Sequence, residues 1–418
     1  MDNNNSNKRP IYLDYMSTTP VDPAVIEKMK ACLGQNGCFG NAASQTHCYG
    51  FEAAACVERA RKQVADLIHA EPREIVWTSG ATESNNLAIQ GAAHFYKRQG
   101  RHIITMSTEH KAVLDTCAFL ELQGFKVTYL KPKKNGLLNI EDLTEAIKPD
   151  TILISIMAVN NETWVIQDIA KIGKISRKNG ILLHVDGAQS AGKIPMDVKK
   201  LNVDLLSLTA HKVYGPKGIG ALYVSRTPFV RLEPLVYGGG HERGLRSGTL
   251  PIHQIVGMGE AFAIAKNRLQ KDTIYISNLR QHLWKGLLPL QGIHLNGDLN
   301  KHIPGCLNIY FECIDGESLL TSLTDIAISG GSACNSASPE PSHVLVAMGL
   351  PTQTASNALR ISIGRYTTTE QIDRAIVHIK KQVTRLRSIS PVWHMVKNEI
   401  NTRIFSYCHK GKNIHTRQ

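Results

Sequence analysis

The sequence predicts an α/β fold: a large, mainly parallel sheet covered by helices and joined to a smaller α+β domain. Between Ile75 and Val224, apolar runs of strand length alternate with stretches of helical spacing, the pattern that right-handed crossovers impose on a parallel sheet. Length is the second observation, because 418 residues exceed what one core usually accommodates. The third is a change of character after about residue 270, where strand candidates Cys306–Phe311 and Leu359–Ile363 flank a short helix at 316–324. The expected division is 22–269 for the large domain, 1–21 with 270–400 for the small one, and 401–418 for a basic C-terminal tail.

In chain order, Ile11–Tyr15 is a strand candidate, and Asp22 with Pro23 opens a helix as cap and first residue. Gly34–Ala43 is a loop, and 49–70 carries helical spacing. Glu74–Thr78 reads as a strand that runs into Ser79-Gly-Ala-Thr-Glu-Ser84 and a helix over 85–99. Strand, glycine turn and helix start make an anion site, because backbone N–H groups and the helix dipole point at one spot. The same residues also suit a routine helix cap. Further strands are expected at 102–106, 125–130, 151–157 and 181–186, in the run after Asp204 and at 220–224, with helices over 111–123 and 167–178. A long helix is expected from Pro251 to about Gln270. The last helix opens with a capping box, Thr367–Glu370, and places Ile372, Ala375, Ile376, Ile379, Val383 and Leu386 on one face.

Composition excludes several classes. With 42% hydrophobic and 20% charged residues the chain is globular, and no apolar run reaches membrane-spanning length. The first ten residues lack a secretory core and are too short and arginine-poor for a transit peptide, so the cytoplasm is the expected compartment. Nine cysteines, with no C-x-x-C, argue for reduced thiols instead of a disulfide framework or zinc ribbon. The net charge of +13 is concentrated at the C-terminal end, where ten Lys or Arg stand against Glu399 from Arg374 onward. An acidic protein, an anionic surface or nucleic acid would suit that end, and so would plain solvation.

The chemistry gathers at strand ends. His110, Asn161, Asp186, Gln189 and Lys212 each follow a predicted strand, and open parallel sheets bind ligands along that edge. A strand-end aspartate can keep a pyridinium nitrogen protonated, and a lysine on the next turn can form a Schiff base with an aldehyde; pyridoxal phosphate needs both. Taken singly each is an ordinary turn residue. Together with His211 and the glycines at 215, 218 and 220 they point to a cofactor site. Ser329–Ser342 has almost nothing to bury and is expected to be mobile, with Cys334 at its middle. Cys306 and Cys117 read as inert fillers, whereas Cys334 has no apolar surroundings to fill and reads as a working thiol that needs an activating base or cation.

These residues resemble one family. Tyr12-Leu-Asp-Tyr with Thr18-Thr-Pro20, Ser79–Ser84, Thr108-Glu-His110-Lys-Ala-Val, Val159-Asn-Asn-Glu162, His184-Val-Asp186-Gly-Ala-Gln189-Ser, His211-Lys212-Val-Tyr-Gly-Pro-Lys-Gly-Ile-Gly220, Arg246-Ser-Gly-Thr249 and Gly331-Ser-Ala-Cys334 are similar to the housekeeping cysteine desulfurases, class V aminotransferase relatives among the fold-type I pyridoxal phosphate enzymes. The resemblance runs from about Ile11 to Trp393 and implies that fold. It implies that Lys212 forms the Schiff base and then serves as acid and base, that Asp186 pairs with the pyridinium nitrogen and that His110 stacks on the ring. Gln189 and Asn161 would lie near the ring hydroxyl; Ala81, Thr82, Thr209 and His211 would hold the phosphate, with Thr249 reaching across from a second subunit. Arg360, with Asn161, would bind the substrate carboxylate.

The implied reaction converts L-cysteine to L-alanine and leaves a persulfide on Cys334. The implied partners are a second copy of the chain, an iron–sulfur scaffold protein and other sulfur acceptors, including those of transfer-RNA thiolation, with no membrane and no direct nucleic-acid contact. No resident metal is expected, and Cys334 would touch an iron–sulfur cluster only transiently on a scaffold. Thr209-Ala210 stands where the family usually has Ser-Gly, which keeps the hydroxyl and adds a methyl near the phosphate. Two other readings remain open: a selenocysteine lyase on the same cofactor, and a protein whose main task is docking through its basic end.

Overall fold

The computed structural model describes residues 9–330 and 340–395. Its centre is a seven-stranded sheet, in spatial order Ile75–Thr78, Gly220–Val224, Leu205–Thr209, Leu182–Asp186, Thr151–Ser155, His102–Met106 and Lys126–Leu130. Six strands run in one direction. Gly220–Val224 is antiparallel to both of its neighbours, because the chain returns from Thr209 without a crossover helix. That return leaves Lys212 on the connection, at the same edge as the ends of the parallel strands.

The central strands are buried along their whole length, as a sheet covered on both faces requires. One apolar cluster on the sheet takes in Val64, Ile68, Trp77, Ile154 and Val185, and another takes in Leu87, Ile89, Val113 and Leu120. No described helix is long and apolar enough to cross a membrane.

A four-stranded antiparallel sheet, Ser329–Gly330, Leu359–Ser362, Cys306–Phe311 and Ile293–Leu295, forms around a further cluster. Ile11–Tyr12 pairs in parallel with Ile326–Ala327, and Ile11 and Leu13 are buried beside Leu283, Ile309 and Ile361. The first described residues thus pack against a core built from the last third of the chain.

Local expectations met three corrections. The helix expected to stop near Gln270 is Ile252–Leu287, 36 residues long. The segment after 270 holds neither proline nor glycine before Gly286, and Leu279, Leu283 and Leu287 keep one face buried, so nothing ends the helix. The last helix, Thr369–Ser388, is capped by Thr368 with Gln371 instead of Thr367 with Glu370. The buried face is otherwise the expected one, with Leu386 partly buried against the cluster. The helix after Ser84 begins earlier, at Ala81. Asp22 caps Pro23–Lys30 by accepting from the Ala24 N–H at 3.0 Å.

Candidate active site

A cavity of about 660 Å³ opens at the carboxyl edge of the large sheet. Ala81, Thr82, His110, Asn161, Asp186, Gln189, Thr209, His211, Lys212 and Arg360 all line it. Of the other site residues read from the sequence, Thr249 is exposed and outside this wall, while Cys334, like the tail 401–418, lies outside the described residues.

Asp186 ends its strand with both carboxylate oxygens engaged. Asn85 donates from Nδ2 to Oδ2 at 2.8 Å, and the Ala188 N–H donates to Oδ1 at 2.9 Å. The carboxylate is therefore aimed by a helix on one side and by its own turn on the other. Asn85 was missed in the sequence. Its position one turn after Ala81 on the same helix was the available signal, because residues four apart share a face.

His110 caps the helix Lys111–Leu122 with Nδ1 accepting from the Ala112 N–H at 3.1 Å. An accepting Nδ1 places the neutral ring's proton on Nε2. Burial lowers the imidazole below its ordinary value, with Asp186 opposing. Beneath it, Glu109 is fully buried and accepts from the Met157 N–H through both oxygens, at 2.9 and 3.0 Å. Burial pushes that carboxyl well above the usual carboxylate range.

The opposite wall is the helix start at Ala81. Its cap is Gly80, with no side-chain hydrogen bond to the first turn, so the N-terminal N–H groups face the cavity without a side-chain cap. Glu83 accepts from the Ser79 N–H at 2.7 Å and from Arg246 at 2.9 Å, and these contacts hold its carboxyl low against burial. Gly220 lets the turn lie tight on the sheet, since a Cβ there would stand 2.6 Å from the Gly80 Cα. The methyl of Ala210 is fully buried in the core opposite Gly215 and is absent from the cavity wall, which corrects the expectation that it sits near a phosphate.

His211 reaches Thr18 through Nδ1 at 3.2 Å, and burial with the adjacent Lys212 charge draws it down to about 4. Arg360, 1% exposed, donates to the Asn161 carbonyl at 2.9 Å, to Ser17 at 2.7 Å and to Asp14 at 3.1 Å. Met16, Ser17 and Thr18 thereby join the wall, a role their strand-and-turn pattern did not disclose. Beside Asn161, Glu162 is buried, accepts from Ser342 and has its carboxyl pushed up to about 7 by burial. Ser329 and Ser342 flank the segment that contains Cys334, and they touch Arg360 and Glu162 respectively. Cys306 and Cys117 are fully buried with thiols pushed up to about 12, as fillers should be.

The sheet order, the lysine-bearing return and the uncapped helix start define the fold-type I architecture of pyridoxal phosphate enzymes. The aminotransferase class-V family matches residues 11–375, and the chain belongs to it. Among curated relatives, a protein named cysteine desulfurase IscS from Aeromonas hydrophila subsp. hydrophila is 58% identical over 402 residues, covering 96% of this chain and 100% of the relative. One of the same name from Vibrio atlanticus is 57% identical over the same shares. Among solved structures, a NifS-like protein is 38% identical with a TM-score of 0.84, covering 90% of this chain and 99% of that one. SspA in complex with cysteine is 41% identical with a TM-score of 0.76, covering 86% and 100%.

Proposed function

We propose that this chain is a pyridoxal 5′-phosphate-dependent cysteine desulfurase that converts L-cysteine to L-alanine, holds the sulfur as a persulfide on Cys334 and passes it to acceptors for iron–sulfur cluster assembly and thio-modification. The observation that carries the reading is the meeting of Lys212, Asp186, His110 and the Ala81 helix start on one cavity. The full-length similarity to proteins named cysteine desulfurase supports the same substrate.

The residues present fit the cofactor. The cavity is of the size that cofactors occupy. Gly220 permits the close turn that aims N–H groups at a phosphate, and Asn85 Oδ1 is buried with no hydrogen-bond partner among the described residues. When bound, pyridoxal phosphate supplies an aldehyde that joins an amine and a ring that draws electrons from the substrate α-carbon. Ala81, Thr82, Thr209 and His211 would hold its phosphate, Asp186 its ring nitrogen, and Gln189 with Asn161 its hydroxyl.

Lys212 supplies the amine for that linkage and afterwards moves the α-proton of the substrate. Arg360, fixed by Asp14, Ser17 and the Asn161 carbonyl, binds the substrate carboxylate and sets its orientation. His110, held neutral by burial, would cover the ring and could donate from Nε2. The Cys334 thiolate attacks the substrate sulfur: an S–S bond forms, the Cβ–S bond breaks with its electron pair left on carbon, and protonation of that carbon gives alanine.

The enzyme works in the cytoplasm as a homodimer. Phe39 and Tyr49 lie with tilted rings 5.4 Å apart beside the start of the Cys48–Ile68 helix, with Phe51 also exposed, and a second copy would cover them. In that dimer Thr249 serves the partner's phosphate. The test is purified protein with pyridoxal phosphate, L-cysteine and a reductant. Alanine and sulfide should appear in equal amounts, and Cys334→Ala should stop sulfur transfer while retaining the bound coenzyme's absorbance. Absence of alanine from the wild-type protein would refute the reading.

A further inference from the structure

Lys193 sits behind the cavity, outside its wall, bonded to one residue that lines it and sharing a second, smaller cavity with another. Its Nζ donates to Gln189 Oε1 at 2.9 Å, while Gln189 Nε2 donates to the Met16 carbonyl at 3.2 Å. A carbonyl only accepts, so the Met16 contact settles which end of the Gln189 amide is nitrogen and leaves its oxygen facing Lys193. Nε2 gives one N–H to Met16 and keeps a second N–H that Gln189 can offer a ligand.

The second neighbour is Lys212. Both lysines line a small cavity of about 50 Å³ on the far side of the active site, together with Trp164, Tyr214 and Asp272. Gly192, at φ +68°, presses this turn onto the Lys212 loop, because a Cβ there would meet Val213 at 2.7 Å and Ala265 at 2.9 Å. The Lys193 ammonium also lies 5.9 Å from the centre of the Trp164 ring.

We propose that Lys193 is a positioning residue of the cofactor site: it locks the Gln189 amide with an N–H toward the cavity, and its charge beside Lys212 favours the unprotonated, nucleophilic form of that amine. This rests on the reading of Lys212 given above.

The charges around Lys193 agree with that role. Arg360 adds a further positive charge, and the Cys306 thiol is held neutral by burial. In the shared cavity wall, Asp272 is paired with Arg365 at 2.8 Å and with Arg268 at 3.1 Å, while burial raises both Tyr15 and Tyr214. Burial, with the Lys212 charge added, brings Lys193 down to about 7. Like charges this close disfavour one another, so a proton on Lys193 acts against one on its neighbour.

Two variants separate the two parts of the proposal. Lys193→Gln keeps a donor for Gln189 and removes the charge, whereas Lys193→Met removes both. The readout is a pH titration of the bound coenzyme's visible absorbance in the holoenzyme, followed by the rate of coenzyme loss on dilution. Both variants should move the titration of the Lys212 linkage upward by about one pH unit. Only Lys193→Met should speed coenzyme loss, by about tenfold, and that gain should vanish in a Gln189→Ala background.

Folded variants that titrate and retain coenzyme like the wild type would overturn the proposal and leave the desulfurase reading intact. Failure of both variants to fold would make Lys193 a structural residue and overturn it as well. A wild-type protein that takes up no coenzyme would instead defeat the underlying reading.

Discussion

Asp186 illustrates how much of the site's behaviour is set atom by atom. Its two oxygens are fixed by Asn85 and by the Ala188 N–H, so the group facing the cavity has one orientation. Asp186→Ala should lower kcat by at least about a hundredfold, the scale of losing an aimed charge in an enclosed site. Asn85→Ala keeps that charge and loosens its aim. A loss of about tenfold is expected, with the bound coenzyme's absorbance shifted, and parallel kinetic and spectral measurements check both.

Asp186 and Lys212 were legible because a polar residue at the end of an apolar run is conspicuous. Asn85 was not, since it lies inside a helix whose sequence is otherwise unexceptional. Arg360 was placed by resemblance, but its engagement by Asp14 and Ser17 comes from an N-terminal segment more than 340 residues away, and sequence spacing carries no trace of it.

At the scale of elements, the proposed phosphate wall depends on how closely one turn lies on one strand. A Cβ at Gly220 would meet the Leu208 carbonyl oxygen at 2.5 Å and the Gly80 Cα at 2.6 Å, both backbone atoms that cannot swing away. Gly220→Ala should cost about 1–3 kcal/mol of stability and weaken coenzyme binding, measured by denaturant melts and by titration with the coenzyme. An unchanged coenzyme affinity would mean that this approach does not shape the phosphate site.

Most elements were readable from apolar periodicity, since strands such as His102–Met106 are flanked by clear turn signals. Two features were hidden for physical reasons. The direction of Gly220–Val224 depends on the connection before it, and the length of Ile252–Leu287 was mistaken where surface composition changed without any helix breaker.

Across the whole molecule, two buried groups oppose one another in pH. His184 lies inside the sheet between Ser155 and Ser207, with its folded value lowered to about 4 by burial. The unfolded chain then binds the extra proton, so this contribution is present above about pH 6.5 and is lost as pH falls through 4, on the order of 3 kcal/mol. Glu162 has the opposite sign. Its folded value is raised to about 7, so stability is full below about pH 4.5 and falls as pH rises through 7. The two windows overlap, so in urea melts from pH 4 to 8 the wild type should be nearly flat between about pH 4.5 and 6.5, where the opposite slopes offset each other. His184→Gln should uncover a fall in stability as pH rises from about 4.5 to 7, and Glu162→Gln a rise from about 4 to 6.5, whereas unchanged profiles would show that neither group titrates as placed.

The interleaving of chain ends, with Ile11 and Leu13 in a core made by residues beyond 279, fixes the arrangement that brings Arg360 to Lys212's cavity. The central claim is the chemistry of one amine in that cavity. Borohydride reduction of the coenzyme-loaded protein, followed by peptide mass mapping, tests it most directly. The account predicts a stable phosphopyridoxyl adduct on the peptide carrying Lys212 and on no other. An adduct on Lys193 instead, or no adduct on any lysine, would contradict it.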